Sequence, residues 1–165
     1  MKPQKILVPL DGSALAEAAL GKAMELATSS GAKLLLIRAA EAHTLLGVDP
    51  TEPQIKVVGE AEDYLAKIQE QLAARGVKNV ETSVWYGPAA YAIVEAARLN
   101  KVDLIAMTTH GRSGLGRLIL GSVAESVLRG TTTPILLIRL AEAPVQAPAG
   151  TGEARPWQGP VAGRV

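Results

Sequence analysis

Five short aliphatic runs punctuate the chain, Lys5–Leu10, Lys33–Ala39, Val80–Trp85, Val102–Thr108 and Pro134–Leu140, each bounded by Gly, Pro, Asp or Asn. They have the length of strands, and in the Val, Ile and Leu runs polar residues do not alternate with apolar ones. That is the pattern of strands buried on both faces. Helical stretches separate them. Ser13–Ser30 is rich in Ala, Leu, Glu, Lys and Met, with Ser13 or Asp11 available as its N-cap. Val57–Arg75 carries apolar residues at helical spacing and is followed by Gly76, where a C-terminal cap belongs. Pro88–Leu99 and Gly121–Arg129 complete the set. Strand alternating with helix in this way implies parallel strands joined by right-handed crossovers, with helices on both faces of the sheet. The expected fold class is α/β, a single open parallel sheet.

Composition narrows the function classes. Hydrophobic residues make up 48% of the 165, yet Phe is absent, so the core is built from Val, Ile, Leu and Ala. The formal net charge of +1 offers no broad basic surface for nucleic acid or an anionic membrane. With no cysteine there is no disulfide, thiolate metal site or cysteine nucleophile. No apolar stretch is long enough to span a membrane, and the first residues run directly into a strand. We expect a soluble, cytoplasmic protein. Residues 1–140 read as its one domain. Residues 141–165, holding Pro144, Pro148, Pro156 and Pro160 with four Gly, read as a tail outside the core. The connection Ala40–Pro53 is longer than the roughly 2–6 residues usual in such folds.

In open parallel sheets, ligands bind outside the carboxyl ends of the strands. Two segments fall there: Pro9-Leu10-Asp11-Gly12-Ser13 after the first strand, and Thr109-His110-Gly111-Arg112-Ser113-Gly114-Leu115-Gly116 after the fourth, leading to Gly121-Ser122 and a helix. Glycines admit positive φ and close approach of a ligand, and a helix start presents unpaired N–H groups to an anion. A phosphate chain fits this pattern, with Asp11 better suited to a sugar hydroxyl, a base amino group or a metal ion. The familiar phosphate loops do not match. Gly111 to Gly116 has Walker spacing, but Arg117 and Leu118 follow where Lys and Ser or Thr are required, and no G-x-G-x-x-G follows any strand. His110 has no partner acid or nucleophile beside it in sequence and reads as structural. Arg38 reads as a solvent or salt-bridge residue, and Trp85, Tyr86 and Tyr91 as packing around the third strand. Glu60, Glu62 and Asp63 read as a solvated helix face. No residue set has the arrangement of a dedicated hydrolase.

The segment Met107-Thr-Thr-His-Gly-Arg-Ser-Gly-Leu-Gly-Arg-Leu-Ile-Leu-Gly-Ser-Val-Ala-Glu-Ser-Val-Leu resembles the signature of the universal stress protein family. The opening Lys5-Ile-Leu-Val-Pro-Leu-Asp-Gly-Ser is similar to that family's first strand and turn. The resemblance implies a five-stranded parallel sheet of order 3-2-1-4-5, Rossmann-like, and homodimers. It also implies ATP binding with Mg²⁺ or Mn²⁺ held between phosphate oxygens, in a regulatory stress-response protein with slow hydrolysis at most. ATP-binding members carry Gly-x-x-Gly, nine residues, then Gly-Ser or Gly-Thr. Gly111 and Gly121-Ser122 match, while the first glycine is Thr108. By the same resemblance Pro9, Leu10, Asp11, Ala39 and Met107 would surround the base and ribose. Gly111, Arg112, Gly121, Ser122 and Val123 would surround the phosphates. In that strand order the last strand, 134–140, is an apolar edge, which pairing with a second subunit would cover. The alternative is a nucleotide-free dimer acting through protein contacts, favoured by the β-branched Thr108.

Overall fold

The computed structural model describes residues 2–41, 49, 51–109 and 121–139. The chain alternates β1 (Lys5–Pro9), α1 (Ala14–Ser30), β2 (Lys33–Ala40), α2 (Thr51–Ala74), β3 (Val80–Tyr86), α3 (Ala89–Leu99), β4 (Leu104–Thr108), α4 (Ser122–Gly130) and β5 (Ile135–Ile138). The five strands form one sheet in the order β3-β2-β1-β4-β5, and every neighbouring pair is parallel. Each predicted strand and helix is present, in the predicted order.

The pleat divides the aliphatic residues between two cores. Ile6, Val8, Leu34 and Leu36 point to the side covered by α1 and α2, while Leu7, Leu35, Ile37 and Ile105 point to the side of α3 and α4. Both sets are buried, which explains the missing alternation in the sequence. Helix α1 lies against its core through Ala19, Ala23 and Ala27, a row of methyl groups at helical spacing. It stops at Gly31, whose φ of 75° is the left-handed turn that closes a helix at least steric cost.

Several boundaries differ from the sequence expectation. Helix α2 begins at Thr51, ahead of Val57, because Asp49 Oδ1 accepts from the Thr51 N–H and hydroxyl at 2.9 and 2.7 Å. Pro53 sits in its first turn, where a missing N–H costs no helical bond. The long connection is correspondingly shorter, since Ala40 closes β2. The apolar periodicity starts late because the first turns face water, with Ile55 68% exposed.

Val102 and Asp103 lie outside β4. The Val102 N–H donates to Ala97 O at 2.9 Å and helps close α3. Asp103 turns its carboxylate on β1, where Oδ2 accepts from the N–H groups of Gln4 and Lys5, both at 2.8 Å. Its own N–H donates to Lys5 O at 3.0 Å, so the amino ends of β1 and β4 are tied by three bonds. Asp103→Ala is expected to lower stability by about 2 kcal/mol, the scale of two bonds to a charged acceptor. Urea denaturation checks it; Asp103→Asn, which keeps an acceptor, should recover part of the loss.

Trp85 packs on the α3 side as expected. Tyr86 and Tyr91 do not pack around the third strand. Both are exposed, Tyr86 because the last residue of β3 lies on an edge strand and Tyr91 because it lies on the outer face of α3. The edge strand β5 is half-buried, with Leu137 37% exposed; Leu140 lies outside the described residues.

Candidate functional site

Strand β1 pairs with β2 on one side and β4 on the other, and the helices that follow β1 and β4, α1 and α4, lie on opposite faces of the sheet. At that reversal the carboxyl ends of the strands frame a crevice of about 320 Å³, within the roughly 300–1,000 Å³ of small-molecule sites. Its apolar walls come from Ile37 of β2, Met107 of β4 and Ile93 of α3. Asp11 stands on its rim, and Val123 and Ala124 close it from α4.

The turn that carries Asp11 is built by its own sequence. The Leu10 N–H extends the β1–β2 ladder by donating to Ile37 O at 2.8 Å. Gly12 then takes φ +87°, a conformation that costs other residues energy, and reverses the chain. Asp11 Oδ1 accepts from the Ser13 N–H at 2.8 Å, and Ser13 Oγ accepts from the Ala16 N–H at 3.1 Å as the N-cap of α1. Ser13 is thus the cap, and the Asp11 carboxylate is left on the rim with one oxygen engaged by the turn. An aspartate holding its own turn is a fixed acceptor, the property needed to select a sugar or base donor.

Across the crevice, Gly121 occupies the N-cap position of α4 and supplies no capping side chain. The N-cap residue therefore gives the first N–H groups of the helix no side-chain partner, next to the crevice wall formed by Val123 and Ala124. The φ of Gly121 is −58°, open to any residue, so positive φ is not its reason. Gly121 itself is buried. Ser122 is the first helical residue and is exposed.

The structure brings Pro9, Leu10, Asp11, Ala39, Met107 and Val123 to one crevice. Gly121 and Ser122 sit at the head of α4 without lining it. Gly111 and Arg112, like His110 and Arg117, lie outside the described residues. Sequence reading missed Ile37, Ala89 and Ile93 as wall residues, because core-facing aliphatics carry no mark of a ligand wall. Thr108 also lines the crevice, as the last residue of β4 in register with Ile138. It takes ordinary extended backbone, and among the described residues Lys101 is the one non-glycine with positive φ. Two buried polar atoms nearby have no hydrogen-bond partner: Thr109 Oγ1, just past β4, and Trp85 Nε1, whose residue pairs with Ala39.

Behind the Asp11 turn, Arg38 is half-buried and makes no ion pair among the described residues. Its guanidinium carbon lies 4.8 Å from the centroid of the Tyr64 ring, a cation–π distance. Tyr64 donates its hydroxyl to Glu17 Oε1 at 2.8 Å. Burial, followed by the Glu17 bond and charge, pushes the Tyr64 phenol above its ordinary range, so it remains a donor at neutral pH. Among the described residues no group of three or more His, Asp or Glu side chains converges as a metal site. No helix there is long and apolar enough to cross a membrane.

Strand order, reversal point and crevice define an open, doubly wound α/β protein with a crevice at the topological switch. The comparisons with known proteins make the class specific. The chain belongs to the universal stress protein family, whose sequence profile matches residues 2–139. It is 33% identical over 141 residues to universal stress protein MJ0531 of Methanocaldococcus jannaschii, covering 82% of each chain. Among solved structures it is similar to universal stress protein UspA from Lactobacillus plantarum, at TM-score 0.72 and 26% identity, covering 84% of this chain and 99% of that one. A universal stress protein in complex with cAMP matches at TM-score 0.64 and 27% identity, covering 84% of this chain and 98% of that one.

Proposed function

We propose that the protein is a regulatory nucleotide-binding member of its family, taking an adenine nucleotide, ATP with Mg²⁺ or Mn²⁺, in the crevice at the strand reversal. The observation that carries this reading is the pairing of a fixed carboxylate on one rim with a helix start whose N-cap glycine carries no side chain, beside the opposite wall. The walls between them are apolar. A flat base suits the Ile37, Ala39 and Met107 surface, a ribose hydroxyl suits Asp11, and phosphate oxygens suit the N–H groups heading α4. The divalent ion would enter on the nucleotide's own phosphate oxygens. That a family relative has been crystallised with cAMP supports an adenine ligand.

No step of chemistry is assigned to the site beyond binding and orienting. Subunits would pair through β5, where Leu137 offers apolar edge surface to its counterpart.

Calorimetric titration with MgATP tests the proposal, and sedimentation of the same sample reads the subunit count. Saturable binding near one nucleotide per chain, in a dimer, is the expected result. A flat titration at millimolar nucleotide would overturn it and leave a dimer acting through protein contacts, with Thr108→Gly then the variant to titrate. Binding regained only in that variant would identify the threonine methyl as the obstruction.

A further inference from the structure

Arg38 occupies an unusual place at the carboxyl end of β2. It does not line the crevice. Its guanidinium instead sits against the outer side of the turn whose other side forms the crevice rim. A Cβ placed on Gly12 would stand 3.6 Å from both Arg38 Nη1 and Nη2, so the guanidinium faces Gly12 across a gap that one methyl group would fill. The Tyr64 ring backs it at 4.8 Å, and the Glu17 bond holds that ring in place. Carboxylates belong to the same neighbourhood, since Asp11, Glu17 and Arg38 all act electrostatically on Tyr64. Yet among the described residues no acid lies within ion-pair distance of Arg38.

We propose that Arg38, stacked on Tyr64 and facing Gly12, is a positioning residue of the crevice that supports the Asp11–Ser13 turn and offsets the Asp11 carboxylate, setting the preference for phosphate-bearing over neutral ligands. The inference rests on the nucleotide reading given above. A carboxylate on the rim repels an anion. A guanidinium behind the same turn, in a half-buried setting where charges are incompletely screened, reduces that repulsion without touching the ligand. Planarity fits the role, because a guanidinium can stack on Tyr64 with one face and turn the other toward Gly12, whereas an ammonium cannot.

Titrations of the full chain with adenosine, AMP and ATP, all with Mg²⁺ and at low and high salt, test this. Arg38→Met keeps the apolar stem and removes the charge. It should weaken ATP and AMP by about ten-fold at low salt and adenosine by no more than about two-fold, and the gap should narrow at high salt. Arg38→Lys should restore most of the phosphate preference. If the methionine variant loses its fold, Arg38→Gln carries the same comparison. Equal losses for all three ligands would overturn the inference, showing that only the turn's shape had changed; no loss for any would overturn it as well. Failure of the unmodified protein to bind any of them overturns the nucleotide reading itself, and the inference with it.

Discussion

Val123→Asp is expected to weaken MgATP binding by about 100-fold or more, while the thermal midpoint stays level or rises slightly. The two effects have opposite signs because one position serves two electrostatic purposes. Val123 is the second residue of α4, is 37% exposed, and forms part of the crevice wall at the head of the helix. A carboxylate in the first turn of a helix interacts favourably with the N-terminal partial charge, by about 0.3–1 kcal/mol. The same carboxylate would stand where phosphate oxygens are proposed to bind. Like charges about 5 Å apart at an effective dielectric near 20 repel by roughly 3 kcal/mol, which is of the order of 100-fold in affinity. Calorimetry and a thermal melt on one preparation read both quantities. Unchanged binding in a stably folded variant would remove α4 from the ligand site. Lost binding with a lowered melting temperature would point instead to damaged packing.

The largest expected effect on stability comes from the middle of the sheet. Leu7→Ala should cost about 3–5 kcal/mol, a large part of the 5–15 kcal/mol that holds a typical domain. Leu7 has no exposed surface and belongs to β1, the strand with β2 on one side and β4 on the other. Its side chain packs in the cluster with Leu35, Ile37 and Ile105. Hydrogen-bonded strands on both sides keep the backbone from collapsing into the space left behind, which places the cost toward the upper part of the range. A fall in the urea midpoint with an unchanged slope is the expected signature. A loss below about 1 kcal/mol would mean that the neighbouring Leu and Ile side chains refill the space.

Much of this architecture is legible in the residues. Five aliphatic runs separated by amphipathic stretches lead to a parallel sheet, and the turn at Asp11-Gly12-Ser13 is visible as a strand-closing signal. What escaped reading has physical causes. Helix α2 starts early because Asp49 caps Thr51 through a local bond that leaves no apolar period. Val102 reads as strand because it is β-branched, yet its N–H is taken by the end of α3. Ile37 and Ile93 look like core and are core, and their second service as crevice wall depends on which strand ends are left uncovered. Arg38 is the sharpest case. Its nearest partners, Tyr64 and Gly12, come from different elements, and no local pattern links a strand-end arginine to an aromatic ring on the following helix.

The bonds of Asp103 to Gln4 and Lys5 lie at the end of the sheet away from the crevice, and their consequence is kinetic. With β1 and β4 fastened there, the two strands cannot slide past each other to widen the gap between their far ends. For the proposed nucleotide, the turn after β1 would then have to yield for entry and departure. Residence time and affinity would become separable properties, the first set by that turn and the second by the crevice walls.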